Sequence, residues 1–296
     1  METLPIPAPA PSAYERQALD EIRLWKQPDK MGWFGAAVNG LNASLYEITG
    51  LIRKVPGVDW TIENVVAGLL KLTNEIVQDS VWTDAICKDY RRAGHPVDAV
   101  ADVRRLDLEA VDDVLKGLDA KYRALAAVEG AATGYAGLPG IVPDVVALVA
   151  INLRAAGEYA AYCGFDLRDD HERLFALQIL DAVSSVSDVS KQVTLSPIIR
   201  LSSRIARGQA LQALEQTALT RAIRNAVQSL GMHLTAAKLA QIVPVTGAVV
   251  GSTFNAYYTS KVCDAAFFLY RERFLAGMYG PDVLVGAGAQ TQDGAS

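Results

Sequence analysis

The chain has 296 residues, 51% of them hydrophobic, 7% aromatic and 21% charged, enough apolar material for a large core and too much for a disordered chain. Its 45 alanines and 23 glycines suit helices that approach one another closely, in water or in a membrane. A net charge of −5 argues against a generic nucleic-acid binder, and three cysteines without a CxxC pair exclude a disulfide scaffold and a cysteine-based zinc site.

Met1–Ser12 is Pro-rich without a basic n-region, so it reads as an extended tail and not as a secretory signal. Tyr14–Gln27 sets Leu19, Ile22 and Trp25 at helical spacing and stops at Pro28. Thr61–Arg92 reads as a long amphipathic helix closed by Gly94 and Pro96. Asp107 is placed to cap a helix through Leu108, Val111, Leu115 and Leu118, and Asp144 to cap Val145–Tyr162, which ends at Gly164. Arg168–Val183 is the next helix. Ser196-Pro197 starts another that runs to about Leu230, and Thr235–Val243 and Gly247–Leu275 complete the set. The two strand-like runs are short and contain Pro, which disfavours a central strand. The expected fold is all-α, a single multi-helix domain over residues 13–282 with Gly-rich apolar helical hairpins, between a Pro-rich tail (1–12) and a small-residue tail (283–296).

Three windows are almost silent in charge. Met31–Tyr46 has none, Gly130–Leu153 has only Asp144, and Leu239–Ser260 has none in 22 positions. A bilayer span needs about 20 apolar residues. Pro139 and Pro143 interrupt the second window and Pro244 the third. Each therefore reads as two short helices with a tight Pro/Gly connection, serving as buried core, re-entrant segment or interfacial anchor. Gly130 and Gly134, and likewise Gly247 and Gly251, form GxxxG pairs, the spacing that lets another backbone approach a helix. Together with Gly137 and Gly140 they are the candidate packing or membrane-contact positions.

Five segments, in order, carry a resemblance. They are Tyr14-Glu15-Arg16, the glycine-rich run from Ala132 to Gly140, the run from Tyr162 to Leu167, the run from Pro244 to Asn255, and the run from Tyr270 to Leu275. The set resembles the EcsC family of bacterial proteins, over roughly Tyr14 to Phe274. The resemblance implies a helical cytoplasmic protein and brings no catalytic residues. The family takes its name from a locus that also encodes an ABC transporter.

A search for chemistry returns little. There is no GxSxG, Walker A or strand-linked GxGxxG motif. Cys163 reads as a small buried hydrophobe rather than a nucleophile served by His171. His171-Glu172 begins like HExxH, but Phe175 stands where the second His must be, so no zinc pair forms. Asp166, Asp169, Asp170 and Glu172 read as helix-capping charge more readily than as a Mg²⁺ site or hydrolase centre. No cofactor and no metal are expected.

Charge is the most uneven feature. Lys191, Arg200, Arg204, Arg207, Arg221, Arg224, Lys238 and Lys261 against Glu215 alone make Val189–Val262 +7, leaving −12 for the remainder. Arg200, Arg204 and Arg207 share one face of a helix. The chemistry that fits is phosphate, best supplied by anionic lipid headgroups because the charge-free Leu239–Ser260 window overlaps this stretch. Arg200, Arg204, Arg207, Arg221, Arg224 and Lys238 are the candidate anion-binding residues. Aromatic residues do not interleave them, which disfavours single-stranded nucleic acid. The expectation is a non-enzymatic cytoplasmic protein, peripheral on the inner face of the plasma membrane, with a lipid surface or membrane protein as partner. The alternatives are a hydrolase with its site near Asp166–Glu172 and a cytoplasmic interaction scaffold. The oligomeric state stays open.

Overall fold

The computed structural model describes residues 10–26, 57–76, 81–133, 137–184, 216–242 and 250–280. Among them lie nine α-helices, a short 3-10 segment (Val100–Arg105) and no strand. The helices are α1 (Ala13–Lys26), α2 (Val58–Ile76), α3 (Val81–Arg92), α4 (Leu108–Leu115), α5 (Leu118–Thr133), α6 (Gly137–Tyr162), α7 (Asp170–Ser184), α8 (Gln216–Ile242) and α9 (Val250–Tyr279). The Met31–Tyr46 window, Ser196-Pro197, Arg200, Arg204, Arg207, Gly134, Gly247 and residues 1–9 and 281–296 lie outside the described residues.

Local chemistry explains the ends. Ser12 and Glu15 form a reciprocal cap on α1: the Glu15 amide donates to Ser12 Oγ (3.2 Å) and the Ser12 amide to Glu15 Oε2 (2.7 Å). Gly164 adopts φ +84°, the left-handed conformation that closes α6.

Four boundaries differ from the sequence expectation. Thr61–Arg92 is two helices, α2 and α3. The helix begun at Leu108 ends at Leu115, because Gly117 turns the chain at φ +86° before Leu118 opens α5. α6 does not begin at Asp144. It starts at Gly137 and carries Pro143 inside it. Asp144 is an interior residue of that helix. Finally, α8 runs unbroken through Gly231. That glycine faces Val65, Val66 and Leu69 of α2, where an added Cβ would come within 3.0 Å of Val66. The missing side chain permits close packing; it does not stop the helix.

Helices α6 and α9 form the centre. Leu148, Val149 and Leu153 on one, and Val262, Leu269 and Tyr270 on the other, are buried in the core. Asn152 Nδ2 donates to Thr259 Oγ1 between them (3.1 Å), and Asn255 donates to Asp144 (3.2 Å), so the two run parallel. α7 runs against α9: Tyr258 Oη donates to the Leu180 carbonyl (2.9 Å), and Arg273 reaches Glu172 (2.5 Å) eight residues earlier on α7.

The bundle therefore has two unlike ends. At one, Arg271, Glu272 and Arg273 follow one another on α9. Successive helical side chains diverge by about 100°, so each reaches a different neighbour. Arg271 pairs with Asp112 (2.8 Å) and Glu21 (3.2 Å). Glu272 accepts from Lys26 Nζ (2.5 and 2.6 Å). Arg273 holds Glu172 with two bonds of 2.5 Å and lies over the rings of Phe165 and Phe175. These three residues tie α1, α4 and α7 to the central helix. At the other end lie the last turns of α5 and α8 and the first turns of α6 and α9.

Candidate functional site

At the hairpin end the chain gathers a buried polar cluster. Lys238 Nζ lies 2.6 Å from Asp144 Oδ2 and donates to Asn255 Oδ1 (2.5 Å). Asn255 Nδ2 donates to Glu129 Oε2 (2.7 Å) and to Asp144 Oδ1 (3.2 Å). Asn255 is fully buried, and Asp144 and Lys238 are 7% and 5% exposed. Unpaired, charges so deep would cost several kcal/mol; paired, they join the last turns of α5 and α8 to the first turns of α6 and α9. Both Gly-rich windows are thus anchored at one end of the bundle, one through its single charged residue and the other through Asn255.

Glycine makes the junction possible. Gly130 of α5 is buried, and a Cβ there would stand 2.8 Å from Asn255 Nδ2 and 3.1 Å from Asn255 Cβ. Gly140 is buried in the first turn of α6, Gly137 opens that helix, and Gly251 lies in the first turn of α9.

The basic residues separate into different situations. Lys238 belongs to the ionic cluster and is not a surface cation, because Asp144 and Asn255 occupy its ammonium. Arg221 and Arg224 are exposed on α8. They precede Lys238 by 17 and 14 residues, which puts them about 20 Å or more from the hairpin end along the helix.

The acidic run at the start of α7 is taken up by local structure. Asp166 pairs with Arg168 and accepts its backbone amide (2.9 Å). Asp169 caps α7 by accepting the His171 amide (2.8 Å). Asp170 pairs with Arg173, and Glu172 with Arg273. Hydrogen bonds to Arg168 hold the Asp166 carboxyl below its ordinary value despite some burial. Phe175, at the second-histidine position, is core. Among the described residues, no group of three or more His, Cys, Asp or Glu is arranged to hold a metal ion. Cys163 is buried, and desolvation pushes its thiol far above the usual range, the reverse of what a nucleophile needs.

Sequence reasoning missed the partners of these charges. His233 Nδ1 lies 3.0 Å from Asp181, joining α7 to α8. Burial raises the Asp112 carboxyl while Arg271 opposes the rise, and burial raises Glu272 while Lys26 opposes it. A signal existed for one of them: a single Asp in an otherwise apolar window must find a cation.

One described helix is long and apolar enough to cross a membrane, Gly140–Tyr162 with mean hydropathy 1.5, and 61% of its apolar window is buried within the bundle. A helical bundle whose α5, α6, α8 and α9 are tied together by a buried ionic cluster is the class this geometry defines. The sequence profile of the EcsC protein family matches residues 54–275, and the chain belongs to that family. It is 24% identical over 268 residues to Uncharacterized protein YdbA of Bacillus subtilis (strain 168), covering 87% of this chain and 91% of that protein. It is 24% identical over 174 residues to Protein EcsC of the same strain, covering 59% of this chain and 68% of that protein. No solved structure matches.

Proposed function

We propose that this protein is a non-enzymatic helical module that associates peripherally with the inner face of the plasma membrane, hairpin end first. One observation carries the reading: two windows nearly free of charge, with 85 residues between them in sequence, converge on one end of the bundle, where Asp144, Lys238 and Asn255 bind them together. The opposite end carries exposed ion pairs, among them Arg23–Asp20 and Lys116–Asp113. A molecule so divided has one end suited to an apolar phase and one suited to water. Arg200, Arg204 and Arg207 would each add about 1 kcal/mol near an anionic surface, whereas Arg221 and Arg224, about 20 Å back along α8, lie beyond a Debye length of about 10 Å at 0.1 M salt. Three buried, unpaired cysteines fit a reducing compartment.

Flotation with vesicles is the test. The full chain should rise with vesicles rich in anionic phospholipid and stay down with purely zwitterionic ones. Binding should weaken as salt rises, since the Debye length falls from about 10 Å at 0.1 M to about 3 Å at 1 M. No flotation at any anionic content in low salt rejects the proposal. Recovery only with membranes that retain their proteins would point to a protein partner instead.

A further inference from the structure

The outer face of the α5–α6 hairpin has a pattern that core packing does not require. On α5, Lys121, Leu125 and Val128 fall at i, i+4 and i+7 and share one face. Leu125 is 46% exposed and Val128 70%. On α6, Pro143, Ile151 and Arg154 lie along one stripe, with Pro143 exposed and Ile151 half-buried. The stripes are on the same side of the hairpin, because Lys121 donates to Glu158 (2.7 and 3.0 Å), four residues after Arg154 on the same face. Arg154 Nε lies 3.7 Å from that carboxylate. Two exposed cations share one carboxylate, leaving a net positive charge where the apolar face ends.

We infer that this α5–α6 face is the surface that enters the lipid, with Lys121 and Arg154 at the level of anionic phospholipid headgroups. The inference rests on the peripheral-membrane reading and names its contact face. Dimensions support a lipid occupant. Pro143 to Arg154 is eleven residues of helix, about 16 Å. That is close to one leaflet of a hydrocarbon core about 30 Å thick. The cations sit at the foot of the stripe, where long side chains keep their charge in the headgroup region while their stems lie along apolar surface. The face also continues toward the end where the second Gly-rich window is anchored.

The experiment compares the full chain with Val128→Asp and Leu24→Asp, using vesicles of equal phosphatidylglycerol and phosphatidylcholine at low salt. Both positions are well exposed, Leu24 on α1 at the opposite end of the bundle. A carboxylate within the hydrocarbon should lower partitioning about tenfold or more for Val128→Asp, with Leu24→Asp unchanged and both variants keeping wild-type helicity. An environment-sensitive dye attached through Val128→Cys should shift to the blue on vesicle addition, and one attached through Leu24→Cys should not. Equal flotation of Val128→Asp and a floating wild type overturns the assignment of this face and leaves peripheral binding standing. A wild type that does not float removes the parent reading as well. A wild-type dimer without vesicles that Val128→Asp converts to monomer makes the face a self-association surface and overturns the lipid assignment.

Discussion

Replacing Gly130 with alanine sets two effects of opposite sign against each other. In an exposed helix interior the change stabilises by about 1 kcal/mol, because alanine has the higher helix propensity. At Gly130 the new Cβ would stand 2.8, 3.0 and 3.1 Å from Nδ2, Cγ and Cβ of Asn255. Non-bonded heavy atoms prefer roughly 3.5–4.0 Å, so Asn255 must retreat by about half an ångström. It has nowhere easy to go: it is fully buried, accepts from Lys238, and donates to Glu129 and Asp144. Overpacking of this kind costs about 1–3 kcal/mol, and weakening a hydrogen bond to a charged group adds about 1.5–3 kcal/mol. After subtracting the propensity gain, the variant should lose about 1.5–5 kcal/mol. Urea unfolding followed by circular dichroism measures it. Gly277→Ala is the matched control. That glycine is also helical, and a Cβ there meets nothing within 4 Å, so it should gain up to about 1 kcal/mol. A Gly130→Ala protein as stable as wild type, or more so, would refute the close approach of α5 to Asn255.

Three further outcomes are expected. Arg273→Ala strands the buried Glu172 carboxylate and should cost about 3–5 kcal/mol, whereas Arg273→Met with Glu172→Gln should recover part of it; chemical denaturation of the three proteins checks this. Cys87, Cys163 and Cys263 are buried, and desolvation pushes the Cys263 thiol up to about 12, so a thiol-specific reagent at pH 8 should modify none of the three in the native protein and all in urea. Changing Arg200, Arg204 and Arg207 together to Gln should remove about 3 kcal/mol of attraction to anionic vesicles with the fold intact; unchanged binding at low salt would make them ordinary surface residues, and a gross loss of helicity would make them buried partners of acidic groups.

Much of the fold is legible in the sequence because helices announce themselves locally, through periodicity, caps and stops. α1 begins one residue before its expected start and ends one before its expected end, and Gly164 closes α6 as its position after Tyr162 suggests. The errors occur where tertiary packing overrides local signals. Pro143 marks a break by itself, yet α6 continues through it, and Gly231 marks a stop, yet α8 continues because α2 packs against the bare backbone. The windows that converge on the hairpin end are equally visible, since absence of charge is a local property. Their convergence is not, because it rests on Asp144, Lys238 and Asn255, whose separations of 94, 111 and 17 residues no periodicity encodes. Lys238 shows the limit most clearly: the sequence counts it among surface cations, and only the fold gives it a buried carboxylate.

Hydrogen–deuterium exchange of the full chain, with and without anionic vesicles, tests most directly the claim that the hairpin end is the membrane-facing end. Backbone amides at 121–143 and 239–256 should gain protection when vesicles are added. Those of α1 and of α9 around Arg271–Arg273 should exchange at the same rate in both conditions. Protection confined to the Arg271–Arg273 end, or none anywhere on a chain shown to float, would contradict the account.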